Sequence, residues 1–181
     1  MKQRKVKIHT GRTFTVPQGI QRIDSLSTHG WQVRYQGTKF FSDGVLPESM
    51  GPAKALAKAT GELLNRIATL PAPVVLKRGP SAHKLSNLPP GISGPIVSAR
   101  GEGNVRSAAL SVLLPRFGKT SRLKSIYIGT ENTYTQARYR AAVAEAKVLR
   151  AEAVATYEAA ATQARRRDAR ELRQQLNAAR R

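Results

Sequence analysis

Val-Pro-Gln-Gly-Ile at residues 16–20 returns as Leu-Pro-Pro-Gly-Ile at 88–92, with Gly91 lying 72 positions after Gly19. Both copies show an aliphatic residue, a proline, a variable position and then Gly-Ile. A period this long exceeds the repeat of a solenoid unit, so it predicts two copies of one small domain. The chain downstream of each copy agrees. After Gly19, "GIQRID" reads as a strand. "WQVRYQ" alternates, with Trp31, Val33 and Tyr35 on one side and Gln32, Arg34 and Gln36 on the other, the pattern of a half-buried strand. Gln36-Gly37 turns the chain into a third strand, "TKFFS". Leu56, Thr60, Leu63, Ile67 and Leu70 then recur at helical spacing until Pro71 and Pro73 close the element. After Gly91 the order repeats: "GPIVSAR", "VRSAALSVLLP" and "KSIYIG" are strands, and a helix begins near Tyr134 with Ala142, Ala146, Leu149 and Ala153 along one side.

The expected fold class is therefore α+β: two tandem domains, each a three-stranded antiparallel sheet plus one helix, the second ending in a long C-terminal helix. A helix covers one face of each sheet and leaves the other free. The expected boundaries are a flexible basic arm over 1–15, a first domain over 16–70, a Pro-rich linker over 71–90, a second domain over 91–150 and an Ala/Arg-rich helical extension over 151–181. The linker holds five prolines and one short strand candidate, Val74–Leu76. From Tyr134 to Arg181 there is neither Gly nor Pro, and a continuous helix of that length spans roughly 70 Å.

Thirty-one basic against eleven acidic residues leave a net charge of +20, shared evenly as +10 over residues 1–90 and +10 over 91–181. Such a balance points to a polyanionic partner. No apolar run approaches the roughly 18 residues of a membrane span. The basic start lacks the apolar stretch of a secretory signal. The chain is therefore expected to stay beside the nucleic acid where it is made, in the cytoplasm and nucleoid-associated in a bacterium, or nuclear in a eukaryote.

The motifs of catalysis fail one by one. "GKT" at 118–120 would need glycine at 113, where Leu113 stands. "GEGNVR" puts Arg106 where a dinucleotide fingerprint needs its third glycine. His9, His29 and His83 fall in an arm, a loop and a linker, without the spacing of metal ligands, and cysteine is absent. "SAHK" and "SRLK" match Ser-x-x-Lys with nothing else of such a site. Asp24, Asp43, Glu48 and Glu62 do not cluster in sequence. The expectation is a non-enzyme with no cofactor and no metal site.

The element order, Gly19-Ile20-Gln21, the aromatic-led strand Trp31–Gln36, Thr38–Asp43, and "SIYIGT" followed by "YTQARYRAAVAEA", resemble the APETALA or ethylene-response-factor DNA-binding domain. That family is found in plant transcription factors and in bacterial and phage proteins. The resemblance covers roughly 19–70 and 91–150. It implies that the sheet enters the major groove of double-stranded DNA, with outward residues reading it. Carried over by position, the outward set is Gln21, Gln32, Arg34, Gln36 and Phe40 in the first half, and Ser111 and Tyr127 in the second. Arg106 joins them as a further cation, and Arg116, Lys119, Arg122 and Lys124 form a loop cluster for phosphates. Arg165, Arg166 and Arg167 of the last helix are candidates for a second contact. Gln21, Ser125 and Thr38 stand where the family has arginines, and amides favour adenine over guanine.

The function expected is a double-stranded DNA-binding protein with two reading heads, a transcriptional regulator or mobile-element factor. Two alternatives stand beside it. One is an RNA-binding or ribosome-associated protein, disfavoured by only 6% aromatic residues. The other is a structural protein whose C-terminal helix binds a protein partner or a second copy.

Overall fold

The computed structural model describes residues 1–44, 51–76, 79, 84, 86–100 and 105–179. Gly19 and Gly91 do the same work twice. Their φ angles are +107° and +81°, left-handed values that most side chains resist. Each glycine carbonyl accepts a backbone N–H from the middle strand of its own sheet, from Arg34 and from Leu113, both at 2.7 Å. Each following isoleucine, Ile20 and Ile92, is buried. The duplication in the sequence is a duplication of geometry.

The first unit comprises Met1–Pro73 and Ala161–Arg181; the second is Val74–Ala160. In the first, strands β3 (Ile20–Asp24), β4 (His29–Arg34) and β5 (Thr38–Ser42) form an antiparallel sheet with β4 central. Gln36 at φ +49° and Gly37 at +107° make the β4–β5 turn, consistent with the paired left-handed residues of a tight hairpin. Helix α1 (Gly51–Thr69) lays Ala55, Ala59, Leu63 and Ile67, four residues apart and fully buried, on Trp31, Val33 and Tyr35. Alanines in the first two turns let the helix approach closely. There the Trp31 indole N–H donates to the Pro52 carbonyl at 2.9 Å. At the other end, Arg66 donates to the carbonyls of Tyr35 and Gly37 and to Glu62, tying the helix to the hairpin turn.

Two expectations for this unit need correction. Residues 1–15 are not a flexible arm: β1 (Gln3–Lys7) pairs antiparallel with β2 (Thr13–Pro17) in a separate two-stranded sheet. Ile8 and Val16 are buried in the core, and Phe14 meets Trp31 edge to face at 5.8 Å. The apolar residues Val6, Ile8, Phe14 and Val16 supply one face of this hairpin, enough to hold a strongly basic segment on the protein. Nor is the helical extension expected over 151–181 all appended to the second domain: the division falls after Ala160. Helix α2 is continuous from Gln136 to Ala178, and its part from Ala161 onward belongs to the first unit, where Ala169 and Leu172 enter the core. The described residues thus hold sheets of two, three and three strands, where two of three were expected.

The second unit holds β6 (Ile92–Arg100), β7 (Val105–Arg116) and β8 (Lys119–Thr130), again antiparallel with the middle strand central. Ile92, Leu110, Val112, Ile126 and Ile128 pack against Ala142 and Ala146 of α2, and Leu88 joins them. Thr135 caps the helix, its hydroxyl accepting the Arg138 N–H at 3.2 Å. Val74–Leu76 is not a strand. Residues 77, 78, 80–83 and 85 of the expected linker lie outside the described residues, and so does Glu48.

Candidate nucleic-acid interface

Cross-strand partners share a face of the sheet, so register decides which side chains the helix leaves uncovered. In the first sheet Gln21 pairs with Gln32, and Gln32 with Phe40. Arg34 pairs with Thr38 one rung along, and Gly30 with Ser42 on the other side. These residues lie opposite the buried Trp31, Val33 and Tyr35, and Arg34 and Phe40 are exposed. The Phe40 ring lies over Gly30, where an added Cβ would sit 2.5 Å from its ring carbon. The Arg34 Nε–H donates to Oε1 of Gln32 at 2.6 Å. Gln21, Gln32, Arg34 and Phe40 are therefore one contiguous surface, of which the alternation had indicated Gln32 and Arg34. Gln36 is not part of it: it sits in the turn and its amide donates to the Pro71 carbonyl at 3.2 Å.

Beside this face runs a groove of about 380 Å³ lined by Lys2, Arg4, Gln18, Gln21 and Arg34, among others. Sequence reasoning missed Lys2 and Arg4 as site residues because it left them on a loose arm. Pairing of β1 with β2 places them next to the reading surface. Arg4 is partly anchored, donating to the Ile20 carbonyl at 3.3 Å. A groove with three cations and the amides of Gln3, Gln18 and Gln21 suits a phosphate backbone beside base edges.

The second sheet is built on the same rungs with different chemistry. Ser93, Ser111 and Ser125 pair across it where Gln21, Gln32 and Phe40 stand in the first. Leu113 and Leu123 pair where Arg34 and Thr38 stand, and Ile96, Ala109 and Tyr127 form the next rung. Leu123 and Tyr127 are 67% and 60% exposed, so this face is open but carries hydroxyls and apolar groups rather than charge. Ser111 and Tyr127 lie on it.

The expected loop cluster is dispersed. "RFGKTSRLK" is the end of a long hairpin, with Arg116 paired to Lys119 at its tip. Arg122 and Lys124 pair with Leu114 and Val112. They therefore project on the side of the sheet that holds the helix. Arg106 lies on that side too, flanking Ala108 on the same strand with Ser107 between them. The arginines of α2 are likewise divided. Arg165 donates to the Gln18 carbonyl at 3.1 Å and Arg166 to the Ile67 carbonyl at 3.4 Å, so both serve the first unit's own structure. Arg167 is exposed.

Two of the acidic residues that looked scattered in sequence, Asp24 and Asp43, converge on Arg22, while Glu62 pairs with Arg66 and Lys39. Arg22 crosses the Trp31 ring at 4.9 Å and makes a two-pronged pair with the buried Asp43, at 2.9 and 2.6 Å. It also holds Asp24, whose carboxyl lies well below the usual carboxylate range because of Arg22 and, to a lesser degree, His29 and His9. Among the described residues no helix is long and apolar enough to cross a membrane. Comparison of the chain with protein-family models, with curated proteins and with solved structures gave no match.

Proposed function

We propose that this is a non-catalytic, double-stranded DNA-binding protein whose first sheet reads the major groove. The observation that carries the reading is the surface of Gln21, Gln32, Arg34 and Phe40, on the face of its sheet opposite α1 and bordered by the cationic groove of Lys2 and Arg4, in a chain of net charge +20. Amides and an arginine in one plane supply the paired donors and acceptors that distinguish base edges. The neighbouring lysine and arginines hold the backbone without regard to sequence. The likeness of the sequence to the APETALA-type domain supports the same use of the sheet. Regulation of transcription, or service to a mobile element, is the role such a binder fits.

The two sheets are not equal heads in this reading. With Leu113 in place of Arg34 and serines in place of amides, the second contributes little to readout. Its contribution is attachment through the basic hairpin tip. Tethering it to the first head raises local concentration without adding much specificity. RNA reading has less support, since the open faces offer Phe40 and Tyr127 but no run of aromatic platforms for unstacked bases.

The test is selection from a random duplex library, followed by affinity for the selected duplex, a scrambled duplex, duplex RNA and single strands at two salt concentrations. Preference for the selected duplex should persist at the higher salt. Equal affinity for all duplexes at both concentrations would leave only charge-driven binding and refute readout by the sheet.

A further inference from the structure

His9, Asp24 and His29 are far apart in sequence and meet where the β1–β2 turn touches the β3–β4 hairpin. Both imidazole Nδ1 atoms point at one oxygen, Asp24 Oδ1, from 3.1 and 3.0 Å. The rings stack with centroids 3.9 Å apart and planes 26° from parallel. All three ligand atoms lie within 4.8 Å of one another. We infer that these residues form a three-ligand site for a borderline divalent transition metal of the Zn2+ class.

As a hydrogen-bond cluster the arrangement is overcrowded. Asp24 Oδ1 faces Arg22 Nε at 2.9 Å and Nη2 at 2.7 Å in addition to the two imidazoles. Four donors converge on one carboxylate oxygen, which offers about two lone-pair sites. The second oxygen receives the His9 backbone N–H, at 3.2 Å. Two stacked rings each donating to that same oxygen gain little over one. A dication at their meeting point relieves the crowding. Each ring then presents an Nδ1 lone pair to the metal and keeps its proton on Nε2. Bonds of about 2.0–2.1 Å at tetrahedral angles put ligand atoms roughly 3.3 Å apart, and the two nitrogen–oxygen separations are 3.1 and 3.0 Å.

The charge balance permits it. Arg22 is answered by both Asp24 and Asp43, so with neutral histidines the cluster carries a net −1 within a strongly cationic chain. Arg22 holds the ligating oxygen itself, Asp24 Oδ1, and so fixes the carboxylate as outer partners of metal ligands do. Two nitrogens and one oxygen favour Zn2+, Ni2+ or Co2+ over Mg2+ or Ca2+, which prefer oxygen-rich shells. His9 and His29 are 42% and 32% exposed, so solvent reaches the site and supplies the remaining ligand. The metal would clasp the hairpin that carries Arg4 to the sheet that carries Arg34.

The experiment titrates the untagged full-length chain with Zn2+ by calorimetry and with Co2+ by visible absorption. One metal per chain is expected, with a rise in the thermal midpoint. His9→Gln and His29→Gln should each weaken Zn2+ binding at least tenfold and abolish the rise, while His83→Gln leaves both unchanged. In the unsubstituted chain, Zn2+ should shift the ring resonances of His9 and His29 and spare those of His83, a readout independent of whether the variants fold. No saturable binding, or binding that both variants retain, would overturn the site.

Discussion

The Arg34 guanidinium donates to the Gln32 side chain 2.6 Å away, two residues back on the same strand and on the same open face. The bond fixes an otherwise free cation over the middle of the sheet and orients the amide of Gln32. Preorganised side chains lose less freedom on binding. Arg34→Ala is therefore expected to weaken binding of the selected duplex by about 1–3 kcal/mol and to relax the preference at one base position. Leu113→Ala, at the corresponding position of the second sheet, should change affinity by less than about 0.5 kcal/mol, as surface substitutions generally do. Lys2→Ala or Arg4→Ala should weaken all duplexes alike and reduce the salt slope by about 1. Anisotropy titrations across salt separate the three outcomes.

Asp43 is 7% exposed and answers an arginine whose own side chain is 5% exposed. Burial opposes the charge of Arg22, but its hydrogen bonds to Asp43 and Asp24 outweigh that and raise its pKa. Removing one partner of such a pair strands the other charge. Asp43→Ala should cost about 3 kcal/mol, with Asp24 the only carboxylate left on Arg22. Combining it with Arg22→Met should recover most of the loss, because a buried thioether needs no counter-ion. Urea unfolding of the single and double variants measures both.

Leu172 is 3% exposed in the core of the first unit although it comes from the last turns of α2. Leu172→Ala is expected to destabilise that unit by about 2–4 kcal/mol. Truncation after Ala160 should disorder it, which proteolysis or amide exchange over residues 1–73 would reveal. A truncated chain with its first sheet intact would contradict the packing.

The Tyr35 hydroxyl is buried with no hydrogen-bond partner among the described residues. Burial pushes the phenol's pKa up, opposed by the charges of Arg165 and Arg166. A buried polar group without a partner costs stability, so Tyr35→Phe should be neutral or stabilising by up to about 1 kcal/mol. Its thermal midpoint should not fall.

Gly61 and Gly30 predict opposite outcomes of one substitution. A Cβ at Gly61, inside α1, meets nothing within 4 Å, whereas at Gly30 it would lie 2.3 Å from the Phe41 carbonyl oxygen. Gly61→Ala should stabilise by roughly 0.5–1 kcal/mol. Gly30→Ala should destabilise and displace Phe40, lowering duplex affinity as well.

Read alone, the amino-acid order shows the repeat, the three-stranded plan of each copy, the burial of Trp31, Val33 and Tyr35, and the helix ending at Thr69 before Pro71. All of these come from period and punctuation, which act between near neighbours. Where the weakly patterned segments settle was left to the folded chain. Val6, Ile8, Phe14 and Val16 are too few to announce a hairpin among so many basic residues, and they find burial only in the first unit's core, where Phe14 meets Trp31. Leu172 and Ala169 look like any solvated helix until the first unit's core receives them. Register, which local patterning leaves open, put Arg122 and Lys124 on the helix side of their sheet and brought His9 and His29 onto one carboxylate. Long-range packing sets such placements because it rewards total buried area and paired charge, quantities that no short stretch of chain contains.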